Sequence, residues 1–110
     1  MFTLKVDKED FEKIKAGNKN HEIIISKDDI FVGDHILFKK KPELFDGILV
    51  KVTDKKMFTN FSKMATCMSL ENLGFNGMTV EQVVEICDKK YDKESAQKYG
   101  IVVCKFDITD

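Results

Sequence analysis

The sequence contains no arginine, so all 18 of its basic residues are lysines. The planar guanidinium fork that binds phosphate, carboxylate or guanine in a bidentate manner is therefore missing, and any anion must be bound by point-like ammonium groups. The formal net charge is −1, which argues against a protein that binds nucleic acid through bulk positive charge. A nucleic-acid partner would have to be bound by local patches.

Metal-ligating side chains are also scarce. The three cysteines, Cys67, Cys87 and Cys104, are far apart, and the only histidines are His21 and His35. Structural zinc sites usually draw on closely spaced pairs of such ligands, and no Cys-x-x-Cys pair occurs here. We therefore expect no metal and no cofactor, and we expect the cysteines to be buried free thiols.

Long apolar runs are missing as well. None approaches the roughly 20 residues that a membrane-spanning helix needs, so no membrane partner is expected. The chain opens on a strand-like segment with no signal-peptide pattern, and the cytoplasm is the expected compartment. At 110 residues, with 43% hydrophobic and 34% charged residues, the composition predicts one soluble globular domain over residues 1–110.

The apolar pattern divides the chain into short strands and helices. Strands are predicted at 2–6, 21–26, 35–38, 48–58 and 101–106, from alternation or from β-branched runs. Helices are predicted at 8–16, at 61–68 and, behind a capping box of Thr79 and Gln82, at 80–91. Segment 92–99 is predicted to be a short charged turn. The fold class that follows is α+β, with a small curved sheet or β-barrel of about five to six strands, closed by the termini.

The stretch from Gly17 to Ser26 organises the rest of the chain. A charged helix ends at the glycine, a polar turn follows, and the turn leads into the β-branched run. Polar side chains at the start of a buried strand lie at the rim of a core, where a ligand site is well placed. On a regular strand Lys19 and Glu22 would face opposite ways, so they meet only if Lys19 lies in the turn. Their contact would be either a Lys–Glu pair in a ligand cleft or an ordinary rim salt bridge.

Two other groups of side chains are candidates. His21 is expected to be a partly buried histidine with a satisfied hydrogen-bonding role. A set of lysines on two neighbouring strands would form either a basic lip for an RNA backbone or a solvated strand end that discourages edge pairing. These lysines are Lys39, Lys40, Lys41, Lys55 and Lys56.

Several pieces of the sequence, taken in order, resemble the ASCH domain, a member of the PUA-like superfamily. The usual signature is a helix ending in Gly-x-Lys-x-x-Glu-x-Arg, then a Val-Gly-Asp strand entry, then a β-hairpin. The corresponding residues here are Gly17, Lys19, Glu22 and Ile24, followed by Val32, Gly33 and Asp34. The resemblance continues through 58–61, 73–75 and 91–102 and so covers nearly the whole chain.

The resemblance implies a PUA-like β-barrel with flanking helices and a cleft beside the lysine-containing turn, a fold associated with RNA or modified nucleosides. It assigns ligand binding to Lys19, Asn20 and Glu22. The first expectation is a domain that binds RNA or a nucleotide-like ligand. The first alternative is a small amidohydrolase acting on N4-acylated cytidine-type nucleosides, or a ribonuclease, with Lys19 and Glu22 as the catalytic residues. The second is a protein-interaction or regulatory module whose pocket has decayed.

The sequence departs from the family pattern at informative places. Ile24 stands where the pattern has arginine, and Glu22 stands where the amidohydrolase branch has the hydroxyl taken to be its nucleophile. The acid of that branch would fall near Asn76, which is not an acid. These departures favour binding over acetylcytidine chemistry. With Lys19 expected on the surface of a concavity, we also expect Lys19→Ala to cost little stability.

Overall fold

The computed structural model describes residues 2–109. Within them, five strands and four helices alternate irregularly along the chain. They are β1 (Phe2–Val6), α1 (Lys8–Lys15), β2 (His21–Ile24), β3 (His35–Lys40), β4 (Gly47–Phe58), α2 (Phe61–Cys67), α3 (Val80–Lys90), α4 (Lys93–Tyr99) and β5 (Ile101–Ile108). The predicted α+β class is confirmed. None of the helices in this described range combines the length and the apolar character needed to span a bilayer.

All five strands belong to one sheet, which curls into a half-barrel with the order β1-β3-β4-β5-β2. The pair β1–β3 is parallel, and the other pairs are antiparallel. The expected closure of the barrel by the first and last strands is wrong. Strand β5 lies between β4 and β2, so both of its hydrogen-bonding edges are occupied, and the sheet edges are β1 and β2 instead.

The core consists of two clusters on the two faces of β2 and β5. One cluster includes Ile24 and Phe106 and packs under α1, whereas the other includes Ile23 and Val103 and packs under α2, α3 and α4. Because neighbouring residues of these strands point to opposite faces, each strand is buried on both sides. That double burial explains why β2 reads as a continuous apolar run rather than as an alternating one.

Helix α4 corrects the sequence analysis, which predicted a charged turn there. Asp92 caps the helix, and its Oδ2 accepts hydrogen bonds from the backbone N–H and the hydroxyl of Ser95 at 3.2 and 2.8 Å. Gly100 ends it with a φ of 81°. Ala96 is the only buried residue of α4, so the segment lacks the apolar stripe by which a helix is recognised in a sequence.

The turn between α1 and β2 places the candidate site. Helix α1 buries Phe11 and Ile14, and the chain leaves it at Gly17 with a φ of 82°, which glycine adopts without strain. Lys19 N then donates to the carbonyl of Lys13 at 3.1 Å. Lys19 therefore belongs to the turn and precedes the paired residues of β2.

Candidate functional site

Lys19 and Glu22 meet at the start of β2, as the placement of Lys19 in the turn requires. Lys19 Nζ lies 2.9 Å from Glu22 Oε2 and 3.7 Å from Asp10 Oδ2. The side chains of Lys19 and Glu22 are only 5% and 8% exposed, and that of Asp10 is 24% exposed. One enclosed ammonium group is thus shared by two carboxylates, a set that we call the buried triad.

The two oxygens of the Glu22 carboxylate differ in their partners. Oε1 accepts a hydrogen bond from Ile23 N at 3.2 Å. Oε2 has the Lys19 ammonium at ion-pair distance and no other polar partner. Among residues 2–109, Glu22 Oε2 is the one buried side-chain oxygen or nitrogen without a directed hydrogen-bond partner. Such an atom is suited to receive a donor from a ligand.

The electrostatics of the buried triad keep Lys19 charged. Burial by itself lowers the pKa of the Lys19 ammonium, but the Glu22 and Asp10 carboxylates outweigh burial and raise the pKa above its ordinary value of 10.5. Burial, with the Glu22 charge as a second cause, also raises the pKa of the Tyr91 phenol. Neither group is therefore prepared to lose its proton near neutral pH.

Lys19 and Glu22 form the inner end of a cleft with a volume of about 320 Å³. Its apolar walls are Ile23, Leu73, Phe75, Met78, Ile86 and Tyr91. Its charged lining, besides the buried triad, is Asp7, Glu9, Lys13 and Lys90. A volume of this size is at the small end of the range for small-molecule sites, about 300–1,000 Å³.

The loop of residues 69–75 closes over Lys19 and forms one side of the cleft. The carbonyl of Asn72 accepts hydrogen bonds from Asn20 N and His21 N at 2.9 and 3.1 Å, and Lys13 Nζ donates to the carbonyl of Gly74 at 2.9 Å. Gly74 has a φ of 93°, and a Cβ on it would lie 3.0 Å from Lys19 Cδ. A side chain at this position would be strained by the positive φ and would require the Lys19 side chain to shift.

Asn20 is the predicted ligand-binding residue that does not line this cleft. Its Oδ1 lies 2.6 Å from His21 Nδ1, and its carbonyl accepts from Phe106 N at 3.0 Å. His21 is half-buried, as expected, and burial, together with the charges of Lys105 and Lys56, lowers its pKa. Asn20 therefore orients the histidine and ties the turn to β5.

The predicted basic lip is not assembled. Lys39 pairs with Gly47 at the start of β4, whereas Lys55 lies eight residues further along that strand, which corresponds to roughly 26 Å of extended chain. Lys55 and Lys56 pair with β5 instead of β3. The two groups of lysines therefore lie at opposite ends of β4.

Two of these lysines also have partners of their own. Lys40 Nζ lies 3.0 Å from Asp46 Oδ2, and Lys55 Nζ donates to the carbonyl of Ile30 at 2.8 Å. Lys41 is exposed at the end of β3, where its backbone N–H donates to the carbonyl of Val6.

The cysteines are free, as expected, but only two of them are buried. Cys87 and Cys104 lie in the core, and burial raises the pKa of each thiol from 9.0 to about 11. Cys67 is exposed at the last residue of α2, so the expectation of burial was wrong for it. Within residues 2–109, no group of three or more His, Cys, Asp or Glu side chains is arranged to hold a metal ion.

Several residues of the cleft were not assigned to it from the sequence. The spacing of Asp10 and Lys13 on α1 places them on one face of that helix, and this signal could have identified them. Phe75 and Tyr91 reach the cleft from a loop and from the end of α3, and no local pattern links either of them to β2.

Comparison with known proteins identifies similar sequences and folds. The model of the ASCH domain matches residues 4–110. The crystal structure of hypothetical protein PH0355 is 26% identical with a TM-score of 0.81, and the match covers 98% of both chains. The solution NMR structure of protein PF0455 from Pyrococcus furiosus is 21% identical with a TM-score of 0.71, over 99% of this chain and 97% of that one.

A third similar structure is the crystal structure of protein EF3133 from Enterococcus faecalis V583. It is 11% identical with a TM-score of 0.71, over 100% of this chain and 77% of that one. The similarity to PF0455 and EF3133 concerns the fold alone, because their identity is low. No curated protein matches this sequence.

Proposed function

Because the chain belongs to the ASCH domain family, we propose that its cleft binds a single nucleobase, either in a free nucleoside or in an RNA strand, and leaves it chemically unchanged. Domains of this family are in general similar to RNA-binding domains. The observation that carries the proposal is Glu22, which lines the cleft and whose buried Oε2 has no hydrogen-bond partner beyond the Lys19 ion pair. An enclosed carboxylate oxygen gains more from a new donor than an exposed one, because no water competes for it.

The amino and imino groups of a base are donors of the required kind. Glu22 Oε2 would accept from such an N–H group, and the Lys19 ammonium beside it would donate to a ring nitrogen or a carbonyl oxygen of the same base. The two protein groups lie 2.9 Å apart, so a donor and an acceptor on neighbouring atoms of one base edge can reach both.

The walls of the cleft support a flat ligand. Phe75 and Tyr91 are half-buried aromatic side chains on its lining. An aromatic face stacks on a base, and such a contact is worth about 1–3 kcal/mol. Phe75 is the candidate for this contact, because the Tyr91 ring already packs against Phe61 at 5.7 Å and has the Lys90 ammonium over it. The volume of about 320 Å³ suits one base with its sugar and is too small for a stretch of folded strand. The backbone of a bound RNA would therefore lie outside the cleft.

The amidohydrolase alternative has less support. A lysine acts as a nucleophile only after it loses its proton, and the pKa of Lys19 is raised. No serine, threonine or cysteine of the described chain lines the cleft, and its one hydroxyl belongs to Tyr91, whose pKa is raised as well. The interaction-module alternative would leave a cleft filled by side chains, and this cleft is open.

An NMR titration tests the proposal. We expect cytidine, guanosine or a short single-stranded RNA to shift the backbone amide signals of Glu22, Phe75 and Tyr91, and to leave those of the β3–β4 hairpin unchanged. We expect Glu22→Gln to weaken binding about tenfold, because a charged acceptor is replaced by a neutral one. The matched control is Glu43→Gln, an exposed glutamate of the hairpin loop.

The affinity and its salt dependence are part of the same test. Because the chain is nearly neutral and lacks arginine, RNA binding should be weak. The decrease of the affinity with salt concentration should correspond to contacts with only a few phosphates. Should Glu22→Gln fail to fold, Phe75→Ala removes one wall and should weaken binding by itself. Shifts confined to another surface, or no shifts with any of these ligands, would contradict the proposal.

A further inference from the structure

The charges around the cleft do not balance. Four carboxylates and three ammonium groups line it, which gives a formal charge of −1. The imbalance is concentrated in the buried triad, where the single Lys19 ammonium lies between the carboxylates of Glu22 and Asp10. In an enclosed site such an excess is screened far less than at the surface.

The two remaining lysines of the cleft are matched in number by its two remaining carboxylates, those of Asp7 and Glu9, so they leave the excess of the buried triad in place. Lys13 Nζ lies 3.4 Å from Glu9 and donates to the carbonyl of Gly74. Its charge is therefore already neutralised and its position is fixed. Lys90 Nζ stands 5.4 Å from the centre of the Tyr91 ring at the end of α3. Lys90 is the cleft lysine with no carboxylate at ion-pair distance among residues 2–109.

From this arrangement we infer that the cleft prefers a nucleobase that carries a positive charge, such as an N-methylated base, over the uncharged parent base. The inference rests on the proposed function and specifies its ligand class. A cationic base would supply both a further donor to Glu22 Oε2, whose one close polar partner is the Lys19 ammonium, and a positive charge to balance the buried triad. The aromatic ring of Phe75 on the cleft wall would attract a flat cation more strongly than a neutral ring.

The same arrangement disfavours a phosphate group inside the cleft. Phosphate would meet the surplus carboxylate charge of the buried triad, and the ammonium groups of Lys13 and Lys19 already have carboxylate partners. The sequence offers no arginine to bind it in a bidentate manner. A nucleoside monophosphate should therefore gain no affinity over the nucleoside, even at low salt.

Calorimetric or NMR titrations with matched ligands test the inference. We would compare 3-methylcytidine with cytidine and 1-methyladenosine with adenosine at neutral pH, where both methylated bases are cationic. The third pair is 7-methylguanosine and guanosine under mildly acidic conditions. In 7-methylguanosine the methyl group lies on another edge of the base, so this pair shows whether a steric clash of the methyl group explains weak binding in the other two. We expect at least one methylated nucleoside to bind roughly tenfold more tightly than its parent. We expect cytidine 5′-monophosphate to bind no more tightly than cytidine.

Variants of the buried triad separate charge from shape. Asp10→Asn removes the surplus charge and keeps the size of the side chain, so the ratio of the methylated to the parent affinity should fall towards one. Asp46→Asn makes the same change at the Lys40–Asp46 ion pair on the hairpin and should leave the ratio unchanged.

The outcomes distinguish this inference from the proposed function. If the parent nucleosides bind in the cleft but no methylated one binds more tightly, or if the monophosphate binds more tightly than cytidine, the charge preference is wrong and the proposed function stands. If no nucleoside binds, the charge preference is wrong, and if a short single-stranded RNA also fails to bind in the cleft, the proposed function is wrong as well. An unchanged affinity ratio in Asp10→Asn would also overturn the charge preference, because the buried triad would then not be its cause.

Discussion

The ammonium of Lys19 and the carboxylate of Glu22 lie 2.9 Å apart, with each side chain more than nine-tenths buried. A salt bridge between exposed side chains is worth about 0–1 kcal/mol, but a buried one behaves differently. Removal of one partner leaves the other charge enclosed and uncompensated. The contact is therefore a structural link between the turn and β2 as well as a feature of the cleft.

The first prediction concerns that link. From the sequence we expected Lys19→Ala to cost little stability, and the burial of the pair reverses this expectation. We now expect a loss of about 3–5 kcal/mol in the free energy of unfolding at neutral pH, because Glu22 would be left as a buried unpaired charge. Urea denaturation of the two proteins measures it.

A double variant provides the control. K19M/E22L replaces both charges by apolar side chains of similar size and should be clearly more stable than Lys19→Ala alone. A loss below about 1 kcal/mol for Lys19→Ala would mean that the pair behaves as a surface salt bridge.

Two neighbouring valines of α3 give a matched test of the core. Val83 is fully buried, whereas Val84 is half-buried beside a surface hollow. We expect Val83→Ala to reduce the free energy of unfolding by about 1–3 kcal/mol and Val84→Ala by less. Thermal and urea melts of the two variants measure the difference, and equal losses would contradict the packing described for α3.

Stability should fall at alkaline pH. The pKa values of Cys87 and Cys104 are raised from 9.0 to about 11 by burial, and that of Lys19 is raised above 10.5 by its carboxylate neighbours. Each group holds its proton more tightly in the folded state, so the stability that it contributes is complete below the unfolded pKa and is lost as pH rises. The decline should begin near pH 9 for the thiols and continue through pH 11.

Urea melts across this range measure the alkaline decline. Replacement of both buried thiols, Cys87→Ala with Cys104→Ala, should make the decline shallower between pH 9 and 11. Replacement of the exposed Cys67 by alanine should leave its shape unchanged. A stability that is constant up to pH 11, or a double variant that declines as steeply as the natural sequence, would show that the thiols are not responsible.

Local sequence signals were sufficient to predict most strands and helices and the contact between Lys19 and Glu22. Gly17 ends α1, the polar turn follows, and the β-branched run becomes β2, so the meeting of Lys19 and Glu22 depended on residues only three apart. The capping box of Thr79 and Gln82 likewise forms as its spacing indicates. These features were predictable because each depends on backbone conformation over a few neighbouring residues.

Features that depend on distant segments were not predictable. The burial of Lys19 requires the loop of residues 69–75 to close over it, with Gly74 at close approach, and nothing near Lys19 in the sequence indicates that contact. The basic lip failed for a similar reason. Strand β4 is 12 residues long, and its two ends pair with different strands, so lysines that were predicted to lie on neighbouring strands are far apart.

The last prediction concerns N4-acetylcytidine, which we expect this protein to bind without hydrolysing it. Amide hydrolysis needs a nucleophile or an activated water, a base within reach, and donors for the developing oxyanion. Lys19 can serve as a donor, but its raised pKa keeps it from acting as a nucleophile. Glu22 occupies the expected hydroxyl position, and loss of the nucleophile from such a site commonly costs several orders of magnitude in rate.

An assay decides between binding and catalysis. The purified protein is incubated with N4-acetylcytidine, and released cytidine is detected by chromatography. We expect no release above the buffer control, together with amide shifts at Glu22 and Tyr91 that report binding. One slow route is chemically open, in which Glu22 acts as a base towards water, and Glu22→Gln would abolish it. Robust release that disappears in both Glu22→Gln and Lys19→Ala, with Glu43→Gln fully active, would make the domain an amidohydrolase and would overturn the assignment of a purely binding role to the cleft.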